Sequence, residues 1–510
     1  LALALSACVG GSAGPGSDTD ADADTDTAAQ TETDPTDPTD PTTADTDETS
    51  DTAATTDDGE PSCGDGVREG EEACDGADLG SNTCASAGFV DGGELTCTDA
   101  CTLDVSGCAA CQEWFHELGG QGMDSGSAIH VDAANNVLVA GSTNWFIDGA
   151  WALGERDAFV TKYAADGAKL WTRTVGTSED DRATALATDS AGAVYLAGTT
   201  EGAFDGFDNA GVRDAFLAKF AADGALLWTY QYGTLAGESP NGLAVDAQGN
   251  VFLTGSTGGD LDGNTSAGGS DVFLTKFDPD GDRLWTKLYG TSEHDNNGAY
   301  GSVAVDPDNN IIMVGTTSGA LGGEWFGSGD SFVAKLDTDG AVLWIRQLGT
   351  PKSDSLTDLA LDANGAIFVT GLTTGFLDGN PALGGLDVFV SKFTNDGVKE
   401  WTRQYGTASD DFGDGIALAG DGGFWLAGAT RGEFGGNPVI GLIDVFIGRY
   451  DAYGVELWST QFGTTSIDSL GDATSDAAGN LYAVGTTPAS LFDQEHAGGD
   501  DLFVLRLCAE

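Results

Sequence analysis

The heptapeptide DAFVTKY at residues 157–163 decides the fold, because close variants of it recur along the chain. The variants start 57, 57, 59, 57, 57 and 57 residues apart, at Asp157, Asp214, Asp271, Asp330, Asp387, Asp444 and Asp501. Tryptophan follows the same rhythm, at Trp114, Trp171, Trp228, Trp285, Trp344, Trp401 and Trp458. A third phrase, typified by VDAANNVLVAGST at residues 131–143, also occurs seven times. Regular self-similarity over this length indicates a repeat architecture.

Each repeat predicts four short β-strands, because runs of β-branched and aromatic residues alternate with turns rich in Gly, Asp and Asn. Seven such units predict an all-β protein, a seven-bladed β-propeller of four-stranded blades. A solenoid is the alternative architecture, but it needs atypical capping repeats at its ends. The tryptophan strand comes first in the array and the DxFVxK strand comes last. We therefore expect residues 112–118 to complete the seventh blade and close the ring.

The split of blade seven between the two ends of the array also explains a cysteine near the end of the chain, Cys508. Superposed on the first repeat, Cys508 falls on Ala164, and Cys111 falls on Ala168. Those two positions face each other across a hairpin neck, where facing Cβ atoms lie about 4.5–5.5 Å apart. A disulfide requires only slightly closer Cβ atoms. The spacing predicts a Cys111–Cys508 disulfide that replaces the missing turn of blade seven.

Three segments precede the propeller, which we assign to residues 111–510. Residues 1–8, LALALSAC, are typical of the end of a signal peptide with a lipobox whose Cys8 becomes lipidated, and an ordinary cleaved secretory signal is the alternative. Residues 9–60 are rich in Asp, Thr and Pro and predict a disordered linker. Residues 61–110 predict a small cysteine-rich module, because the segment has too few large apolar residues for a core of its own.

The module holds six cysteines, which in an exported chain predict three disulfides with fifteen possible connectivities. Zinc is the competing interpretation, but paired CxxC motifs are missing. The six are Cys63, Cys74, Cys84, Cys97, Cys101 and Cys108.

Two stretches resemble known families. The phrases CGDG, GEEACDGADLG and CTLDVSGC between Cys63 and Cys108 resemble the cysteine-rich repeat of myxobacterial surface proteins. The DxFVxK phrase, the LW phrase followed by GT, and the D…GNVYVAG phrase resemble the bacterial SBBP propeller repeat, over about residues 112–507. The second resemblance implies the propeller fold and a repeat of surface proteins without an assigned activity.

The net charge of the chain limits the classes of partner that it can bind. The chain of 510 residues has 82 Asp+Glu against 20 Lys+Arg, a net charge of −62. Nucleic acid is excluded as a partner, because phosphate binding depends on Lys and Arg. We expect an exported monomer at the outer membrane or cell surface, held to the membrane through its lipid anchor alone, with a protein or polysaccharide ligand.

Binding residues should break the sevenfold symmetry of the repeats and lie on long loops. Exposed aromatic side chains with polar neighbours suit sugar or protein binding. These criteria select Trp145, Trp151, Arg156, His294, Tyr300, Trp325 and Phe326, although any of them could simply fasten its loop to the blade.

An acidic residue also precedes the first strand of nearly every repeat, where it could bind calcium or simply cap a turn. These residues are Asp124, Asp181, Glu238, Asp354, Asp411 and Asp468, with Asp295 in an insertion.

Catalysis has little support, since no GxSxG elbow precedes a helix, no HExxH motif occurs and the four histidines share no motif. We expect a non-catalytic binding or scaffold module that needs no cofactor apart from possible calcium. The alternative is an extracytoplasmic enzyme with its site in the central funnel of the propeller.

Overall fold

The computed structural model describes Cys74 and residues 96–97, 102–104, 113–297, 303–492 and 494–509. The chain forms two compact units, an N-terminal one and the propeller. In the N-terminal unit, Cys74 and Cys97 form a disulfide, and strand Thr96–Cys97 pairs with strand Leu103–Asp104. Cys8, Cys63, Cys84, Cys101 and Cys108 lie outside the described residues.

The propeller consists of seven antiparallel blades, as the repeats predict. The strands are given from the innermost to the outermost. Blade 1 comprises Asp124–Val131, Val137–Thr143, Asp157–Tyr163 and Lys169–Val175; blade 2, Asp181–Thr188, Val194–Thr200, Asp214–Phe220 and Leu226–Tyr232; blade 3, Glu238–Val245, Val251–Thr257, Asp271–Phe277 and Arg283–Tyr289.

In blade 4 the innermost strand is described in two pieces. Blade 4 comprises Asp295–Asn297 with Val303–Val305, then Ile311–Thr317, Asp330–Leu336 and Val342–Leu348; blade 5, Asp354–Leu361, Ile367–Thr373, Asp387–Phe393 and Lys399–Tyr405; blade 6, Asp411–Leu418, Phe424–Thr430, Asp444–Tyr450 and Glu456–Phe462; blade 7, Ser469–Ser475, Leu481–Thr487, Asp501–Leu507 and Trp114–Leu118.

The N-terminal strand Trp114–Leu118 pairs with the C-terminal strand Asp501–Leu507, which confirms the predicted closure of blade 7. Cys508 is disulfide-bonded. The other two described cysteines pair with each other, so its partner lies outside the described residues. Cys111 is also outside them, and the Cys111–Cys508 disulfide stays a prediction.

The core lies between adjacent blades. The phenylalanine of each DxF phrase is completely buried, at Phe159, Phe216, Phe273, Phe332, Phe389, Phe446 and Phe503. At about 25 cal/mol for each Å² of apolar surface removed from water, these aromatic side chains contribute much of the favourable energy of folding. The repeated basic residue joins its own blade to a turn, as in the buried ion pair between Lys162 Nζ and Asp132 Oδ2 at 2.8 Å. Repeated residues therefore build blades.

Two faces result from the antiparallel order. We call the side that carries the second-to-third strand loops and the connections between blades the loop face, and the side with the short hairpin turns the turn face. The loop face also carries a two-stranded hairpin, Phe146–Ile147 with Ala150–Trp151, and two short 3-10 helices, Leu377–Gly379 and Phe434–Gly436. Among the residues that the structure describes, no helix has the length and apolar character needed to cross a membrane.

Candidate binding site on the loop face

Two groups of the predicted aromatic residues protrude from the loop face. Trp145 and Trp151 are 53% and 62% exposed, and their ring centroids lie 6.1 Å apart. The Phe146 ring lies 4.9 Å from Trp151. The short hairpin of blade 1 holds these rings, because Trp145 O accepts a hydrogen bond from Ala152 N. We call Trp145, Phe146 and Trp151 the aromatic platform.

The second group is in blade 4, three blades away around the ring. Trp325 and Phe326 are exposed there, and Phe326 N donates to Asp330 Oδ2 at 2.7 Å. His294 is exposed, and Ser270 Oγ lies 3.3 Å from its Nδ1. Tyr300 lies outside the described residues. The predicted aromatic residues therefore form separate patches rather than one surface.

Arg156 belongs to a pocket that sequence reasoning missed. A cavity of about 280 Å³ opens where the innermost strands of blades 1, 2 and 3 begin, beside the central axis. Its rim carries Arg156, Arg182 and Arg213, and hydroxyl and amide groups line the rest. We call it the mouth pocket; its polar lining includes Ser125, Ser127, Ser142, Thr184, Thr199, Ser239 and Asn241.

The three guanidinium groups act on the same carboxylate. Arg182 binds Asp180 through two hydrogen bonds of 2.6 and 3.0 Å. This bond, followed by the charges of Arg182, Arg156 and Arg213, lowers the pKa of Asp180. Arg213 makes a long ion pair with Glu201 at 3.4 Å. The Arg156 guanidinium makes no hydrogen bond or ion pair with any described residue. The pocket thus has positive charge available for an anionic ligand.

The opposite side of the axis is acidic. A central channel of about 400 Å³ runs between the innermost strands of all seven blades. Asp358 and Asp472 line it, and each accepts a backbone N–H from the next blade, Ile416 N at 2.9 Å and Ile129 N at 3.0 Å. Burial, followed by the charge of Asp472, raises the pKa of Asp358, and burial raises that of Asp472 to about 7.

Asp414 occupies the bulge of the innermost strand in blade 6, where Ser127 and Thr184 occupy the equivalent bulges of blades 1 and 2. Burial raises its pKa to about 7, and it makes no hydrogen bond with a described residue. His130 also lies in the channel and contacts Thr188 Oγ1 at 3.0 Å, and burial lowers its pKa to about 4. These carboxylates escape a motif search because each blade supplies one residue.

The acidic residues predicted before each first strand lie at separate blade interfaces. Each is almost completely buried, as are Asp181 at 0% and Glu238 at 1% exposure. Each faces the first residue of the DxF phrase in the preceding blade, a partner that sequence reasoning assigned to blade building. A backbone hydrogen bond joins the two strands at each interface, such as that from Asp181 N to Arg156 O at 2.8 Å.

Comparison with known proteins supports the propeller repeat. Residues 227–262 and 343–376 match the SBBP family, described as a beta-propeller repeat. Two stretches of the chain thus carry the SBBP repeat. The regulatory protein FlaEY of Caulobacter vibrioides is 26% identical over 406 residues, which cover 72% of this chain and 41% of that protein. An uncharacterized WD repeat-containing protein of Acanthamoeba polyphaga mimivirus is 24% identical over 324 residues, 56% of this chain and 20% of its own. The chain spans less than half of either relative.

Among solved structures, the Pan2 WD40 domain of Neurospora crassa has a TM-score of 0.43 at 10% identity, covering 76% of this chain and 95% of that one. A puromycin hydrolase has a TM-score of 0.44 at 13% identity, covering 71% of this chain and 50% of that one. The repeats and the fold are those of a β-propeller.

Proposed function

We propose that this protein is a non-catalytic binding module of the cell envelope, tethered through Cys8, which holds an anionic segment of a protein or polysaccharide on its loop face. The convergence of Arg156, Arg182 and Arg213 on the mouth pocket carries the proposal. The chain has only 20 basic residues against 82 acidic ones, whereas the pocket holds three guanidinium groups beside two carboxylates, Asp180 and Glu201, and is left with a positive charge. Guanidinium groups bind carboxylates and phosphates through paired hydrogen bonds.

The surroundings of the pocket suit binding. Hydroxyl groups supply neutral donors, and the aromatic platform in the same loop as Arg156 offers apolar area to a sugar ring or a side chain. Asp358 and Asp472 are engaged with backbone amides in the channel. Because these carboxylates already accept backbone hydrogen bonds, they favour a binding role for the protein over catalysis in the central funnel.

The test uses the full chain immobilised on beads and envelope extracts of the producing cell, at low and high salt. We expect retention of an anionic component that high salt releases and that the double variant R156Q/R213Q loses. The matched control R346Q/R403Q removes the same charge from exposed positions on the outermost strands of blades 4 and 5 and should retain the component.

Protease treatment of the extract, or periodate treatment, identifies the ligand as protein or polysaccharide. Equal retention by R156Q/R213Q and the wild type, or no retention by either, contradicts the proposal.

A further inference from the structure

Seven pairs of carboxylates are buried beneath the loop face, one at each interface between blades. Each pair joins the first residue of a DxF strand to the first residue of the next blade. We call them the interface pairs: Asp501 with Asp124, Asp157 with Asp181, Asp214 with Glu238, Asp271 with Asp295, Asp330 with Asp354, Asp387 with Asp411, and Asp444 with Asp468. All fourteen side chains belong to residues that are 0% or 1% exposed.

Both carboxylate oxygens accept hydrogen bonds in Glu238, Asp354, Asp411 and Asp444. In the other ten carboxylates, turn capping accounts for one oxygen only. Asp157 Oδ2 accepts hydrogen bonds from two loop amides, including Gly154 N at 2.9 Å. Asp181 Oδ2 accepts from Thr177 N at 2.6 Å and from Thr177 Oγ1 at 2.8 Å. The other oxygens, Asp157 Oδ1 and Asp181 Oδ1, are buried and accept no hydrogen bond of good geometry, although the Thr200 hydroxyl acts on the Asp181 carboxylate and lowers its pKa.

The same deficit recurs around the ring. Every interface pair contains at least one buried Oδ1 without a partner, and the pairs 501/124, 157/181 and 271/295 each contain two. Ten of the seventeen buried side-chain polar atoms without a hydrogen-bond partner, among the described residues, belong to these pairs. Buried polar atoms are nearly always satisfied in proteins, so this repeated pattern requires a missing partner.

Charge identifies the kind of partner. In six of the seven pairs, no described Lys, Arg or His forms an ion pair with either carboxylate; His496 does so only with Asp501. An uncompensated buried charge costs several kcal/mol. Burial and, after weaker hydrogen-bond effects, the neighbouring Asp181 raise the pKa of Asp157. A cation would relieve both the lost hydration and this repulsion.

Geometry sets the size of the space. A Cβ atom placed on Gly176 would lie 1.9 Å from Asp157 Oδ1 and 2.9 Å from Asp181 Oδ2, so these two oxygens are at most about 4.8 Å apart. No hydrogen bond joins the two carboxyl groups. Calcium binds oxygens at 2.3–2.6 Å and would fit between carboxylates at about this separation. A glycine, whose missing Cβ lets the DxF carboxylate approach its backbone, stands at all seven equivalent positions: Gly119, Gly176, Gly233, Gly290, Gly349, Gly406 and Gly463.

We propose that the interface pairs are calcium sites, each shared by two adjacent blades. The cation bridges the DxF aspartate of one blade and the first residue of the next, and so fixes the loops and connections that form the loop face. This inference does not depend on the proposed ligand of the mouth pocket.

The first experiment measures metal content and stability on the full chain. The protein is dialysed to equilibrium against calcium in the presence of excess magnesium as a competitor. Elemental analysis should then find about six or seven calcium ions bound to each propeller. Calcium in millimolar excess over a chelator should raise the unfolding midpoint by on the order of 10 °C. No bound calcium and no shift in midpoint would overturn the proposal and leave a proton shared by each pair as the explanation.

The second experiment assigns the sites. The variant D157N/D181N should bind one calcium ion fewer than the wild type. The matched control D166N/D223N removes two carboxylates from exposed turns and should bind as many ions as the wild type. Should D157N/D181N fail to fold, terbium luminescence of the wild type, excited through tryptophan and displaced by calcium, provides the readout. An unchanged stoichiometry in a folded D157N/D181N, or no displaceable terbium, contradicts the assignment.

Discussion

The two sides of the propeller mouth carry different ionisable groups on one scaffold. The side formed by blades 1 to 3 has Arg156, Arg182 and Arg213 with hydroxyl groups between them. Blades 5 and 7 place Asp358 and Asp472 along the channel, and blade 6 has Asp414 at the bulge of its innermost strand. The seven interface pairs are the same on both sides. The contrast shows that residues repeated in every blade maintain the ring. Residues that differ between blades beside the axis determine which side of the mouth a charged ligand would contact.

Reversing one charge on the basic side should have the largest effect. In Arg156→Glu, a guanidinium without a described partner becomes a carboxylate facing an anionic ligand. We expect binding to weaken by about a hundredfold, because a charge-assisted contact is replaced by repulsion. Isothermal titration with the ligand isolated from envelopes measures this. Arg403→Glu, which makes the same change on an outermost strand, should bind the ligand with wild-type affinity. Equal losses of affinity in both variants would show that the ligand does not bind at the mouth pocket.

Neutralising the acidic side should affect stability instead. Burial raises the pKa of Asp414 to about 7, so its folded form favours the proton, and the protein loses stability as pH rises from the ordinary value of 3.8 through about 7. Asp414→Asn should therefore be more stable than the wild type at pH 8, by on the order of 2 kcal/mol, with little gain at pH 4.

Urea unfolding at both pH values measures the Asp414→Asn effect. Asp223→Asn, at an exposed turn, serves as the control without this pH-dependent gain. A gain for Asp414→Asn of the same size at pH 4 and pH 8 would contradict the assigned charge state.

Removing one aromatic ring should show which of the two aromatic patches contacts the ligand. Trp151→Ala takes away a 62% exposed ring that contacts Trp145 and Phe146 beside the basic side. We expect binding of the envelope ligand to weaken by about three- to tenfold, as for a partly exposed aromatic contact. Trp325→Ala, three blades away, should change the affinity less than twofold. The reverse order would move the binding surface to blade 4.

The smallest expected effect concerns His496, which lies between Glu117 and Asp501 at the closure of blade 7. Burial lowers its pKa, but the hydrogen bond with Glu117 at 2.9 Å and the charge of Asp501 outweigh that and raise the pKa above 6.5. Its contribution to stability is thus fully present below pH 6.5 and is lost as pH rises through the raised pKa.

His496→Gln should cost about 1 kcal/mol at pH 6 and nothing at pH 9. Thermal unfolding at both pH values measures the change, and the exposed His294→Gln is the control. A penalty that persists at pH 9 would mean that packing, rather than charge, is what His496 supplies.

The repeats made the fold predictable from sequence, because each blade repeats the same strand pattern. The closure of the ring was predictable because the tryptophan strand at Trp114 opens the array and the DxF strand at Asp501 ends it. The site was less predictable. Arg156 and the exposed tryptophans stood out as departures from the repeat. Arg182 and Arg213 did not, because each is unremarkable within its own blade and gains meaning only when the ring brings it beside the axis.

The calcium candidates Asp124, Asp181, Glu238, Asp354, Asp411 and Asp468 were recognised as acidic, but their partners were not. The DxF aspartates come from the preceding blade, and only three-dimensional packing joins the two columns of the repeat. Atomic detail was also needed to distinguish turn capping from a calcium site, since Asp157 uses Oδ2 for the loop amides and leaves Oδ1 without a partner.

The closure of blade 7 determines how the ring would respond to mechanical load. Strand Trp114–Leu118 is the outermost strand of its blade and, among the described strands, pairs only with Asp501–Leu507. A pull on the chain ahead of Glu113 would peel this strand away one hydrogen bond at a time, which requires little force at each step. With Cys508 bonded to Cys111, as we predict, the pull would pass through the disulfide into Asp501–Leu507, and the edge strand would carry no tension.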